Sequence, residues 1–565
     1  MSSIMESTMK SVCRSFPVLL FLFINAAALF SLPPQKLLYS DDWAYEALSI
    51  LSREQRLVFF ADSVITVAQM KNFLAEIDEA ELSESGKLLL RELEAYLEKS
   101  PWISVESDYL SAGFEPVFQP ELYFKSSSET PWIYDYHSRK PLLELPLNVS
   151  LGPYVSFEMI PLLGQNEKAA TQHDNHINVP YDPVSQFDIH FPKRAYLSAG
   201  IPLGEASGIH FAIGTGEDFL GRTRTGSIIL SDYMNKVSYA QLSIYAPLLK
   251  YTAEVKQMEV NKYQYMHYLR IRLHRTFSLT VAEGVMVNAP LELRFLNPLA
   301  IFHGFEAYKT YEDYDKENND DNDRNSNASN LTGDSRIGSY FGVKLEFQPF
   351  KYGRFYALFA MNQLQLGIEK ENWSEDLTPD ALAFQGGAEL SIPVSGGYVN
   401  FGAEGIYTYP YMYVLDDKKW SFVKEYPEID NMKVRNWVGT PFGPDTIAGT
   451  LWAGYAASTR WSLTFSFVFS AQGIRSGTDI FDTVNYRPTP ADFNVVVPPT
   501  GTPVYTSTAA LLWQWKPEEW ITVLIQPGYR FIMNNGHAEG KTAQGFEAAF
   551  SVRLSSPLKA KRYEF

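Results

Sequence analysis

The sequence predicts an all-β transmembrane barrel of about 16–18 antiparallel strands with a small N-terminal α-helical module on its periplasmic side. Three observations predict it. Short segments alternate apolar and polar side chains along most of the chain. Aromatic residues make up 15% of it, with Tyr 34, Phe 37 and Trp 11. Past the first thirty or so residues no apolar run approaches the ~20 residues a spanning helix needs. The last stretch, Gly545 to Ser555, illustrates the first observation. Phe546, Ala548, Phe550, Val552 and Leu554 fall on one face of an extended strand, and Glu547, Ala549, Ser551 and Arg553 on the other. Successive side chains of a strand point to opposite sides, so such a segment can show one face to hydrocarbon and the other to water. The aromatic content suits the girdles that mark the two lipid–water boundaries of a barrel.

Taken in chain order, residues 1–28 read as a secretory signal. Lys10 and Arg14 give the positive start, Phe16 to Ile24 the apolar core, and Ala26-Ala27-Ala28 the small residues of a cleavage site. The only cysteine, Cys13, precedes that core, so removal of the signal leaves no thiol for a disulfide or thiolate metal site. Residues 29–102 form the helical module. Trp43, Ala47, Leu48 and Leu51 recur at helical spacing, as do Met70, Phe73, Leu74 and Ile77. Thr66 is a candidate N-cap. A third helix over Leu88–Leu97 stops at Ser100-Pro101. The module is expected to pack on the periplasmic end of the barrel.

Residues 103–565 carry the barrel. Pro141–Gly152 and Tyr154–Leu163 pair through a turn at Gly152-Pro153. In Tyr263–Arg275, Tyr265, His267, Leu269, Ile271 and Leu273 share one face, and Tyr268, Arg270, Arg272 and His274 the other. Ser462–Ser470 repeats the design with Leu463, Phe465, Phe467 and Phe469. Ile521, Val523 and Ile525 do so against Thr522 and Gln526. Residues 312–336, dense in Asp and Asn, cannot bury enough surface to fold alone and read as an extracellular loop. Its oxygens suit calcium, but its spacing does not match an EF-hand.

The net charge of −17 argues against nucleic acid as a partner. Neither a Ser/His/Asp set nor a pair of carboxylates is identifiable, so no enzyme, cofactor or metal is expected. His267 and His274 sit on opposite strand faces and make no site. Arg222 and Arg224 share a face of an extended segment. With Arg270, Arg272, Arg275 and Arg294 they suggest a cationic cluster in the lumen, suited to carboxylate or phosphate groups. Tyr268 and Tyr340 join Arg222, Arg224, Arg270, Arg272 and Arg294 as candidate ligand-binding residues. The alternative is that these cations pair with Glu283, Glu292 and similar acids to hold a polar interior together.

Three consecutive runs then carry a resemblance: Tyr268-Leu-Arg-Ile-Arg-Leu-His-Arg275, Leu279-Thr-Val-Ala-Glu-Gly284 and Leu291-Glu-Leu-Arg-Phe-Leu-Asn-Pro298. Together they look like the central region of the Wzi-type capsule-assembly outer-membrane proteins. Gly221-Arg222 followed by Gly226–Ser231, and Gly443-Pro-Asp445, are similar to flanking segments of that family. The resemblance implies a large single-chain barrel with a periplasmic helical element that binds and organises surface polysaccharide without catalysis. Its expected partners are outer-membrane lipid, surface polysaccharide and the barrel-insertion machinery. A porin-type channel for small polar or anionic solutes is the alternative role.

Overall fold

The computed structural model describes residues 32–99, 101, 103–107, 109–135, 137–165, 176–179, 187–190, 194–234, 237–302, 337–364, 379–415, 419, 421–429, 432–457, 460–475, 497–555 and 561–564. The leader over 1–28 and the acidic stretch 312–336 lie outside them.

The barrel is a ring of eighteen antiparallel staves, the first four interrupted by bends. These four are β1 (Leu110–Phe114, Val117–Phe118 and Glu121–Lys125), β2 (Leu143–Glu144 and Leu147–Leu151), β3 (Val155–Met159 and Leu162–Gln165) and β4 (Phe187–His190 and Ala195–Pro202). Then follow β5 (Gly208–Gly216), β6 (Val237–Ala246), β7 (Leu249–Glu259), β8 (Lys262–His274), β9 (Phe277–Val287), β10 (Ile337–Phe347) and β11 (Gly353–Gln363). The ring continues through β12 (Ala381–Val394), β13 (Gly397–Thr408), β14 (Thr446–Ala457), β15 (Trp461–Gln472), β16 (Val504–Glu518), β17 (Ile521–Met533) and β18 (Thr542–Leu554). Each stave pairs with the next in sequence. Closure comes from β18 against β1, with Glu547 opposite Lys125 and Ser551 opposite Glu121.

Turns alternate in length around the ring. One end carries tight connections: Gly152 at φ +53° between β2 and β3, residues 247–248, 275–276, 395–396 and 519–520. Nearly every connection at the other end is long. Outer-membrane barrels place short turns toward the periplasm and long loops outside, which orients the molecule. Among the described residues no helix is long and apolar enough to cross a membrane; the chain crosses as strands.

Face assignment follows the alternation. Phe465, Phe469, Phe546 and Phe550 are exposed on the outer wall, while Glu547, Ala549 and Ser551 are buried on the inner one. On β8, Gln264, Met266, Tyr268, Arg270 and Arg272 point inward and are buried.

The lumen is filled from both ends. From the short-turn end enter three helices, α1 (Trp43–Gln55), α2 (Val67–Ala75) and α3 (Glu84–Leu97). Asp42, Thr66 and Ser83 cap them by accepting from Ala44, Gln69 and Gly86 amides. Their apolar faces join Tyr196, Tyr239 and Tyr398 of the wall in one buried cluster. From the long-loop end, residues 217–234 and the described residues 409–415, 421–429 and 432–445 fold inward. Leu220, Ile228, Ile229, Leu230, Met412, Phe422 and Val438 pack there against wall residues Tyr340, Tyr356 and Leu358. Gly221 and Gly226, at φ +89° and +92°, supply the left-handed turns that bring residues 217–234 back on themselves.

Two expectations on polarity are corrected. Glu283 and Glu292 are not lumenal. Glu283 faces outward on β9 opposite His267, and Glu292 lies on a segment packed against the outer wall. Placing one charge on the outer wall tests the faces. Phe465→Arg near mid-height of β15 is expected to cost about 2–4 kcal/mol and reduce assembled barrel. Ser466→Ala, pointing inward, should change stability by less than about 0.5 kcal/mol. Urea titration in lipid vesicles, with heat-modifiable gel mobility as the assembly readout, distinguishes them.

Candidate functional site

A ladder of ion pairs holds the helices inside the wall. Asp62, between α1 and α2, lies 2.7 Å from Lys344 Nζ of β10 and 3.1 Å from Arg270 Nε of β8. Lys344 continues to Glu346 at 2.8 Å and Glu346 to Arg354 of β11 at 2.9 Å. Arg354 reaches Glu389 of β12 at 3.1 Å, and Glu389 returns to Arg53 of α1 at 2.7 Å. Nearly all these groups are buried. Burial opposes charge on Asp62, but Arg270 and Lys344 outweigh it and hold the carboxyl well below its ordinary range.

The residues singled out in the sequence do not form one cluster. Arg222 donates to Tyr45 O and pairs with Glu46 of α1, both at 2.8 Å. Arg224 lies over the Trp452 ring at 5.5 Å, while its amide donates to Glu404 at 2.9 Å. Arg270 belongs to the ladder and also stacks over Tyr268, whose hydroxyl accepts from Gln241 at 3.1 Å. Arg272 is bound to Glu76 by two contacts, the shorter 2.6 Å. Tyr340 donates to Ile228 O at 2.6 Å and pins the inward loop. Arg275 reaches Gln55 at the short-turn end. Arg294, expected in the lumen, lies outside the wall beside Glu292 at 2.6 Å. Three of these cations, Arg222, Arg270 and Arg272, thus answer acids at distant sequence positions: Glu46, Asp62 and Glu76 of the helical module.

Sequence reasoning missed a group at the long-loop mouth. Residues 126–142, between β1 and β2, fold over the inner wall. There Tyr123, Trp132 and Tyr134 cluster with Arg139, whose guanidinium lies 4.1 Å from the Tyr123 ring centre and 4.7 Å from that of Trp132. Glu121 accepts from both tyrosine hydroxyls, at 2.5 and 2.9 Å. Glu547 accepts from the amides of Ile133 and Tyr134. Arg530 donates to Pro131 O at 2.9 Å, and Tyr233 of the inward loop donates to Asp135 at 2.7 Å. Arg139 uses only Nε, on Tyr134 O. Its Nη1 and Nη2, and Trp132 Nε1, are buried without a hydrogen-bond partner among the described residues. Burial depresses the Arg139 pKa, the direction expected of a charge taken from water. Its sequence signal was Trp132 with Lys125, Arg139 and Lys140 in one loop.

A second pair escaped notice. Ser198 Oγ and His210 Nε2 lie 2.8 Å apart on the inner wall. Among the described residues no carboxylate hydrogen-bonds that ring, and no cluster of His, Cys, Asp and Glu has the makings of a metal site.

This architecture defines an outer-membrane β-barrel with a plugged lumen. No family model matches the sequence, and no curated protein matches it. Among solved structures its fold is similar to that of Wzi, whose structure is described as an outer membrane protein involved in group 1 capsule assembly in Escherichia coli and a carbohydrate-binding β-barrel. The TM-score is 0.58 at 11% identity, over 92% of this chain and all of that one. The fold likeness agrees with the resemblance seen in the sequence. The channel DcaP of Acinetobacter baumannii (TM-score 0.33, 10% identity, 81% of this chain and 100% of that one) and OccK5 of Pseudomonas aeruginosa (0.38, 9%, 81% and 100%) also match.

Removing the acid at the head of the ladder is expected to loosen the plug. Asp62→Asn leaves Arg270 and Lys344 facing an uncharged group, a change worth about 3–5 kcal/mol for a buried pair. Conductance in planar bilayers should rise and the helices should become protease-sensitive. Because Asp62 is depressed from 3.8, its contribution is complete above that value and fades only as pH falls through the lower folded one. Wild-type plug closure is therefore expected to stay level from pH 8 to about 4 and to weaken only in stronger acid.

Proposed function

We propose that this barrel binds surface polysaccharide at the outer membrane and helps attach or assemble it, without catalysis. The observation that carries the reading is the plug. Three helices and two inward loops fill the cross-section and are bound to the wall by a buried ion ladder. A wide open lumen serves a diffusion channel, whereas a filled one serves a rigid platform. The fold likeness to a carbohydrate-binding barrel supports the same reading.

In this reading Tyr268, Arg270, Arg272 and Tyr340 fix the plug, Arg222 and Arg224 brace the inward loop, and the glycan meets the long-loop mouth. The aromatic–guanidinium group there offers donors suited to sugar hydroxyl or uronate oxygens: Arg139 Nη1 and Nη2 and Trp132 Nε1. Outer-membrane lipid and the insertion machinery are the other partners a barrel requires.

Deleting the gene should release surface glycan from the cell, read by staining cell-attached against shed polysaccharide. Unchanged attachment, together with a steady open conductance of the purified barrel, would instead favour a porin. Arg139→Ala is expected to weaken glycan binding about ten-fold, the equivalent of one charge-assisted hydrogen bond of ~1.5 kcal/mol, with gel mobility unchanged.

A further inference from the structure

The outer wall of a barrel is expected to be bare strand. Over β7, β8 and β9 it is not. Residues 288–302 leave the long-loop end of β9 and lie against the outside. Ala289, Phe295 and Phe302 pack onto Tyr265, Val285 and Val287, outward side chains that strand geometry alone would expose. Tyr265 is consequently only 1% exposed. The Glu292 amide donates to Tyr265 Oη at 2.9 Å, Tyr251 Oη donates to Pro298 O, and Phe302 stacks on His267 with ring centres 4.7 Å apart. His267 is five residues below the rim residue Lys262. At ~3.3 Å per residue and a tilt of ~45°, that is roughly 12 Å down the wall.

Among the described residues the opposite side of the segment is uncovered and carries a crest of large apolar side chains, with Asn297 and the Glu292-bound Arg294 exposed beside it. Leu293 is 78% and Leu299 87% exposed, and Leu291, Leu296 and Ile301 are exposed with them. We propose that residues 289–302 form a strap that inserts this leucine crest among the acyl chains of the outer leaflet.

Two observations select lipid as the occupant. The strap lies on the lipid-facing side of the wall itself: it covers the outward residues Tyr265, Val285 and Val287, and lower down that same side Leu273 of β8 and Leu345 and Phe347 of the neighbouring β10 stay exposed. Part of the strap's backbone is also spared the cost of an unpaired amide in hydrocarbon, several kcal/mol each. Pro290 and Pro298 have no N–H. The amides of Glu292, Phe295, Asn297, Leu299 and Ala300 are all bonded, to Tyr265 Oη, Glu292 O, Arg294 O, Asn297 Oδ1 and Asn297 O. Beneath it, the strap covers a polar pair that bare strands would turn to lipid, His267 Nε2 and Glu283 Oε2 at 3.0 Å.

Because Cys13 is the only cysteine, single labels are clean in a Cys13→Ser background. Leu293→Cys, Leu299→Cys and, as an aqueous control, Glu539→Cys would each carry an environment-sensitive fluorophore in full-length protein reconstituted in phospholipid vesicles. At 293 and 299 the expected result is blue-shifted emission, quenched at least two-fold more by spin-labelled acyl chains than by iodide, with the reverse at 539. Preferential iodide quenching at 293 and 299 would overturn the proposal by placing the strap in water. Shielding from both quenchers would overturn it by burying the crest in protein. Oxidative Leu299→Cys dimers at high lipid-to-protein ratio would identify a second copy as the occupant.

Discussion

Backbone hydrogen bonding in hydrocarbon is the constraint from which the rest of the structure follows. A strand in lipid must find a partner on each side, so a sheet can cross a membrane only as a closed ring. Here the closing seam is β18 against β1, and β1 is the most broken stave of the ring. Its bends let the second half of β1 pair with β18 while the first half pairs with β2. Residues Ile103–Glu106 fill the place beside the first half, continuing the hydrogen-bonded edge where β18 has ended.

Closing a ring this wide creates a second problem. The inner wall carries Lys250, Lys256, Arg270, Arg272, Lys344 and Arg354, all buried. An ion taken from water is stable only if it is matched. The helical module and the inward loops supply matching groups. Asp62, between α1 and α2, meets Arg270 and Lys344, and Glu76 of the helical module meets Arg272, while Asp218, at the base of the 217–234 loop, meets Lys256 at 2.8 Å. Plug and wall are therefore one electrostatic unit. An empty lumen of this composition would need water throughout, and the helices could not sit in a purely apolar one.

The staves were legible in the sequence because their signal is local. A period of two along Tyr263–Arg275 or Ser462–Ser470 states which side chain meets lipid, and burial follows it except at Tyr265, which the strap covers, at His274 at the strand end and around Phe467. The Thr66 cap was legible for the same reason, needing only a hydroxyl three residues before an amide. The ion partners were not. Arg272 lies 196 positions from Glu76, and no pattern within either segment refers to the other. The Arg222–Arg224 pair shows the difference: its spacing said nothing of the acid and the ring that receive the two side chains. Arg294 and Glu292 were misplaced because alternation is defined only inside a strand. Past Val287 the chain has no face, and whether it turns over the lumen or down the outside depends on contacts such as Tyr265 and Phe295 that form only after β8 and β9 have paired.

The mouth cluster shows how the seam of such a wall fixes the loop above it. Glu121 and Glu547 point inward from the two staves that close the ring. Each is consumed by the loop above it, Glu121 by two tyrosine hydroxyls and Glu547 by two backbone amides. These bonds fix the loop to the seam and so fix the Arg139 guanidinium between two aromatic rings. Because the carboxylates are already engaged, Nη1 and Nη2 of Arg139, both buried, have no hydrogen-bond partner among the described residues. A guanidinium held rigidly by ring faces loses little rotamer freedom when it meets a ligand oxygen, so more of its interaction free energy is left for binding. The same closure that lets the chain survive in hydrocarbon thus also fixes the loop and the guanidinium at its mouth.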